Sequence, residues 1–167
     1  MRLVQPLLFC TVIVWGTSIL QADEIKLGDK APDFEVTNMD GKTVKLSDWV
    51  GKKKLVVVFS RAHWCPFCMG QLKDLSKHYD DITKAGGEVI VVFREERDGV
   101  KGLKKSQQAA SSEFPLLLDL GAKATPEYST TGFTTYIIGK DGTVETILSG
   151  KKTNRPKAEA IIAALND

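Results

Sequence analysis

Leu55-Val56-Val57-Val58-Phe59-Ser60-Arg61-Ala62-His63-Trp64-Cys65-Pro66-Phe67-Cys68 joins an apolar run to a proline-led segment through a Cys-X-X-Cys motif. Its first five residues are apolar, rich in β-branched side chains and too few for a typical helix, so they predict a strand buried on both faces. Pro66 then opens a segment in which Phe67, Met69, Leu72, Leu75, Tyr79 and Ile82 recur at helical spacing until Ala85-Gly86-Gly87 stops it. Proline in the first turn and glycine past the last are the expected helix punctuation. Cys65 and Cys68 therefore fall at a strand-to-helix junction.

Working outward, Phe34 to Thr37 and Lys42 to Leu46 alternate around Asp40-Gly41 and predict an N-terminal β-hairpin, with Ser47-Asp48-Trp49 as a short helical turn. Val89-Ile90-Val91-Val92-Phe93 predicts a second buried strand, the polar stretch Gly99 to Ser112 an exposed helix, and Phe114 to Asp119 a third short apolar run. Ala122 to Tyr128 is expected to form helical turns. Thr134 to Ile138 and Thr143 to Ile147 flank Asp141-Gly142 as a second hairpin, and Pro156 initiates a last helix carrying Ala160, Ile161, Ala163, Ala164 and Leu165. Strands alternating with helices imply an α/β domain, a central mixed sheet flanked by helices.

The chain has 167 residues, 43% hydrophobic and 26% charged, enough for one core and too few for two ordinary domains. Its 23 basic and 21 acidic residues leave a net charge of +2, and the lysines come in short dispersed groups, a pattern that does not suggest nucleic-acid binding. Arg2 followed by an apolar run from Leu7 to Leu20 and a small residue at Ala22 reads as a secretory signal peptide over residues 1–22, leaving a domain over 23–167. If uncleaved, residues 3–20 are just long enough for a membrane anchor, weakened by Pro6. Either outcome predicts an exported domain, periplasmic or extracellular. Cys10 lies inside the leader, so the mature domain keeps only Cys65 and Cys68.

A disulfide across so short a loop adds little stability, which points to a chemical role. A helix start offers unpaired N–H groups and the positive end of the helix dipole, both of which favour a thiolate. Cys65, near the cap, is the expected attacking sulfur. Cys68, one turn on and facing the same way, is the expected resolving sulfur. Pro66 fits the first helical position, and Trp64 and Phe67 are expected to flank the sulfurs with apolar surface. Arg61 and His63 either add positive charge near the thiolate or are plain surface residues, and His78 reads as a solvated side chain. A structural zinc needs four ligands, and the sequence offers no second cysteine pair and no paired histidines, so no metal or cofactor is expected.

The segment Phe59 to Leu72 resembles the F-x-R-x-x-W-C-P-[YF]-C-x-x-[EQ]-L pattern of peroxiredoxin-like proteins in the AhpC/TSA, or redoxin, superfamily. Gly28 to Phe34 is similar to its G-x-x-A-P-x-F segment, Phe114 to Asp119 to its F-P-L-L-x-D, and Tyr136 to Gly142 to its F-[VI]-I-D-x-x-G hairpin, so the likeness spans most of residues 25 to 165. The resemblance implies a thioredoxin-like fold, a peroxidatic or disulfide-exchanging cysteine at Cys65, and a thioredoxin-like dithiol reductant. The chain departs from the family at three positions. Val58 and Ala62 stand where typical peroxiredoxins have proline and a hydroxyl residue, and Phe133 stands where they have arginine and thioredoxin-like reductases a cis-proline. Arg61 or Arg94 is the expected substitute for the missing charge.

Two active readings and one inactive reading follow. In the first, Cys65 attacks a peroxide and Cys68 closes an intramolecular disulfide. In the second the first substrate is a protein disulfide. The third is a redox-inactive thioredoxin-fold binding module.

Overall fold

The computed structural model describes residues 24–128 and 132–167. The leader expected over residues 1–22, with Cys10, lies outside them. Among the described residues no helix is long and apolar enough to cross a membrane.

The domain is built on one seven-stranded mixed sheet. Its strands are β1 (Glu35–Asn38), β2 (Thr43–Lys45), β3 (Lys54–Ser60), β4 (Gly87–Phe93), β5 (Leu116–Leu118), β6 (Thr135–Ile138) and β7 (Val144–Leu148). They lie in the order β2-β1-β5-β4-β3-β6-β7. The helices are α1 (Pro66–Lys77), α2 (Tyr79–Lys84), α3 (Val100–Ala110) and α4 (Ala158–Asn166), with a 3-10 turn at Leu46–Asp48. β3, β4 and β5 run parallel, Val57 opposite Ile90 and Val92 opposite Leu117, while β1 and β6 join antiparallel on either side. β1 pairs antiparallel with β2 through Val36 and Val44.

β3 is apolar throughout because both of its faces are covered. Val56 and Val58 point to one cluster, with Leu72 and Leu75 of α1, Ile82 of α2, Leu103 of α3 and Ile161 and Leu165 of α4. Leu55, Val57 and Phe59 point to the other, which no α-helix enters. Ile25, Phe34, Leu46, Tyr128 and Tyr136 close that face. Tyr128 packs edge-on against Phe34 and Tyr136 at ring separations of 5.6 and 5.3 Å, and its hydroxyl donates to the Pro32 carbonyl at 2.6 Å.

Three expectations are corrected. The helix after Cys65 is two helices, because His78 leaves helical geometry and its Nδ1 lies 2.9 Å from the Asp74 carbonyl. The break turns Tyr79 onto Phe114, with ring centroids 5.4 Å apart, so His78 is a partly buried cap. Residues 122–128 form no helix. Their backbone winds instead around Asp119, whose carboxylate accepts from the Ala124 N–H at 3.0 Å and the Thr125 hydroxyl at 2.5 Å. A side-chain acceptor at the start of a segment competes with helical bonding in this way. Nor is α3 an exposed helix: Gly102, Leu103, Ser106 and Ala110 form a buried face.

The last helix starts at Ala158, two residues after Pro156, and Lys157 at its N-cap makes no side-chain cap. Asp74 of α1 supplies that bond across space, its carboxylate accepting from the Ala158 N–H at 2.9 Å. Gln71 donates to the Pro156 carbonyl at 2.9 Å. Two side chains of α1 thereby fasten the segment that precedes α4.

Candidate active site

The carboxyl ends of β3, β4 and β5 share one edge of the sheet, where open α/β sheets tend to bind ligands. Cys65 lies there as the N-cap of α1, with extended φ and ψ, and its Sγ accepts the Cys68 N–H at 3.3 Å. The first turn of α1 thus directs a backbone donor at the sulfur, as the helix-start argument requires. Pro66 occupies the first helical position, and both cysteines are free thiols. Cys65 is only 3% exposed and Cys68 is fully buried. Burial, and after it the hydrogen bond to Cys65, push the Cys68 thiol above the ordinary cysteine range, against the pull of Ser60, the Arg61 backbone and Arg155.

The cation at the sulfurs is Arg155. Its Nη2 is 3.2 Å from Cys68 Sγ and 3.7 Å from Cys65 Sγ, while Nη1 donates to the Gly132 carbonyl at 3.2 Å. The guanidinium lies 4.0 Å from the centre of the Phe133 ring, and the residue is 7% exposed. Phe133, at the place where typical peroxiredoxins carry arginine, is the surface on which an arginine from elsewhere in the chain rests. Gly150 makes room for it: a Cβ there would collide with the Phe133 carbonyl, so only glycine lets residues 149–157 come this close. No local pattern around Arg155 marks it in the sequence, because it lies 90 residues from Cys65.

The expected substitutes are engaged elsewhere. Arg61 forms a two-pronged ion pair with Glu95 at 2.8 and 2.7 Å, which raises the arginine's pKa and holds Glu95 below the usual carboxylate range. Arg94 is buried, donates to the Thr125 carbonyl at 2.7 Å, and lies 4.0 Å from the centre of the Phe59 ring. Burial lowers its pKa.

His63 is held by Glu96, a fully buried carboxylate that sequence reading does not single out. Glu96 Oε2 accepts the His63 backbone N–H at 2.7 Å and faces its Nδ1 at 2.8 Å, while Oε1 accepts the Asp98 N–H at 3.1 Å. Gly102 gives the carboxylate its space, since a Cβ there would overlap Glu96. The turn into Cys65 is therefore anchored from below. Ligand atoms of His63, Glu96 and Asp98 fall within 4.8 Å of one another, the one such set among the described residues. They are already engaged, Glu96 with His63 and Asp98 with Lys105 at 2.6 Å, the latter keeping Asp98 below its ordinary range.

Trp64 and Phe67 flank the cysteines but remain 51% and 42% exposed. Val58 and Ala62 are buried and apolar, so neither offers a hydroxyl. A cavity of about 270 Å³ lies between Phe67 and Arg155, with Gln71, Asp74 and Pro156 in its wall. Chemically, the arrangement provides a nearly covered sulfur that accepts a backbone N–H, a second thiol one turn away, and a guanidinium within reach of both.

The profile of the AhpC/TSA family matches residues 27–147. The thiol-disulfide oxidoreductase ResA of Bacillus thuringiensis subsp. konkukian is 27% identical over 139 residues, 82% of this chain and 78% of its own. Chloroplastic peroxiredoxin Q of Oryza sativa subsp. japonica is 29% identical over 144 residues, 81% of this chain and 64% of its own. The crystal structure of peroxidoxin BcpB from Mycobacterium tuberculosis superposes with a TM-score of 0.72 at 20% identity, covering 85% of this chain and 97% of that one.

Proposed function

This chain belongs to the AhpC/TSA family and is a thiol-based oxidoreductase of the thioredoxin fold, and on that premise we propose that it reduces hydroperoxides, with Cys65 as the attacking sulfur. The observation that carries this reading is the Arg155 guanidinium beside both sulfurs, 3.2 Å from Cys68 Sγ and 3.7 Å from Cys65 Sγ, with Cys65 only 3% exposed. A small oxidant reaches a sulfur so covered more readily than a folded protein's disulfide does. A guanidinium donor also stabilises both the thiolate and the charge that builds on the departing oxygen.

The Cys65 thiolate attacks one oxygen of ROOH, the O–O bond breaks, and the alkoxide takes a proton to leave as ROH. The sulfur is left as sulfenic acid. The Cys68 thiol then gives up its proton and attacks that sulfur. A Cys65–Cys68 bond forms and the hydroxyl leaves as water. An external dithiol protein reduces the disulfide by exchange and is itself oxidised. We place this chemistry outside the cytoplasm, from the leader-like composition of residues 1–22.

Disulfide exchange is the second reading. It is favoured by the exposed Trp64 and Phe67 and by the absence of a hydroxyl at Val58 and Ala62. One experiment separates the two. The reduced Cys68→Ser protein is mixed with hydrogen peroxide or with a model protein disulfide, and the Cys65 product is identified by mass spectrometry. A rapid sulfenate with peroxide supports the peroxidase. Mixed disulfide alone, with peroxide inert, removes it.

A further inference from the structure

The exposed large apolar side chains of the described residues are Leu27, Trp64, Phe67 and Leu120; Trp64 and Phe67 flank the cysteines, and Leu120 lines one groove with Trp64. Trp64 and Leu120, 51% and 48% exposed, face each other across a groove of about 440 Å³ at the carboxyl ends of β4 and β5. Its remaining wall is Arg94, Glu95, Arg97, Gly121 and Lys123. Exposed tryptophans are usually free to rotate, but this one has its indole 4.8 Å beneath the Arg61 guanidinium, and Arg61 is itself locked to Glu95. The platform beside Cys65 is thus exposed and held still, the combination that binds a partner at low entropic cost.

The charge of the groove is one-sided. Glu95 is neutralised by Arg61, and buried Arg94 faces Asp119 and Thr125. Arg97 and Lys123 are exposed at the rim, and neither forms an ion pair among the described residues. The groove therefore joins two exposed apolar side chains to a cationic rim, beside the turn that carries Cys65.

We propose that the groove between Trp64 and Leu120 docks an acidic segment beside the reactive cysteine of the protein partner that exchanges thiols with Cys65. This rests on the reading of Cys65 as the exchanging sulfur. The occupant is a protein segment because the groove far exceeds a peroxide in size and offers the exposed apolar surface of Trp64 and Leu120. It is acidic because the unpaired rim charges are positive.

The test uses the Cys68→Ser chain, which stops at the mixed disulfide, and two short peptides with a central cysteine activated as a 2-pyridyl disulfide. Glutamates flank the cysteine in one peptide and lysines in the other. The Cys65 thiolate attacks the peptide sulfur, the peptide–Cys65 bond forms, and 2-thiopyridone leaves and is read by absorbance. At low salt the acidic peptide should react about tenfold faster, and the preference should collapse at high salt as screening sets in. Arg97→Glu with Lys123→Glu should reverse the preference without changing the rate with neutral iodoacetamide, and Leu120→Ser should slow both peptides.

Equal rates at low salt overturn the proposal, as does a preference that survives the double charge reversal, which would assign it to Arg155. Failure of both peptides while iodoacetamide still alkylates Cys65 also overturns it. The hydrogen peroxide rate, measured in parallel, shows whether the groove alone or the peroxidase reading has failed.

Discussion

Two flanks meet at Cys65, and each brings arginine to the site with opposite outcomes. On the α4 side, residues 149–157 deliver Arg155 onto both sulfurs. On the β4 side, Arg61 and Arg94 come close and stop short, one on Glu95 and the other on Thr125. Nearness in sequence does not separate them, since Arg61 is four residues from Cys65 and Arg155 is 90 away. The partner within reach does. Arg61 meets Glu95 with two parallel charge-assisted hydrogen bonds, a planar fit that fixes its guanidinium there. Among the described residues Arg155 has no carboxylate partner, and the sulfurs become its acceptors. One flank sets a cation at the sulfurs, and the other ties its arginines to Glu95 and Thr125.

The comparison can be broken most severely at its centre. Cys65→Ser should abolish peroxide consumption, measured by stopped-flow, while leaving the fold intact by circular dichroism. Next, Arg155→Met should slow Cys65 oxidation by about 10²-fold, the cost typical of removing an aimed donor, with Arg155→Lys between the two. Arg94→Met and Arg61→Met should each stay within a few-fold of the parent. Equal losses from all three would erase the distinction between the flanks.

The pH dependence sharpens the site itself. Burial keeps Cys68 protonated through neutral pH, and the nucleophile is its thiolate. The sign is therefore fixed: below the raised pKa, each unit of pH should shorten the lifetime of the Cys65 sulfenate by about tenfold. The check is trapping with dimedone from pH 6 to pH 9, where a flat lifetime would show that Cys68 is not held as a thiol. The smallest effect on chemistry is expected on the β4 side. Glu96→Ala leaves the part-buried His63 and Asp98 N–H groups without their acceptor and should cost about 1–3 kcal/mol of stability in urea unfolding. It should change the peroxide rate far less than Arg155→Met does, because Glu96 touches no sulfur.

Gly150→Ala should displace the segment from Phe133, cost about 1–3 kcal/mol of stability in urea unfolding and reproduce part of the Arg155→Met defect. A fully active Gly150→Ala would separate the glycine from the placement of Arg155.

Much of the fold was legible because its signals are local. The apolar run of β3, the Pro66 start of α1 and the cysteines at their junction all follow from residue types at short spacing. The misread elements are those that a distant or competing acceptor governs. The Asp119 carboxylate winds residues 122–128 away from a helix, and His78 breaks α1 from α2. The buried face of α3 also escapes a composition argument, because Gly102 and Ser106 are buried by Glu96 and the neighbouring core rather than by their own hydrophobicity.

At the candidate site the same division holds. The sulfur pair, its place at a helix start, and the lack of a hydroxyl and an arginine at the expected positions are readable from residue order alone, since each is a fact about neighbours along the chain. Only the tertiary structure decided which cation meets the sulfurs. That outcome depends on which carboxylates remain within reach after folding, on a glycine that lets two loops touch, and on an aromatic ring that supports the guanidinium, and none of these is a property of adjacent residues.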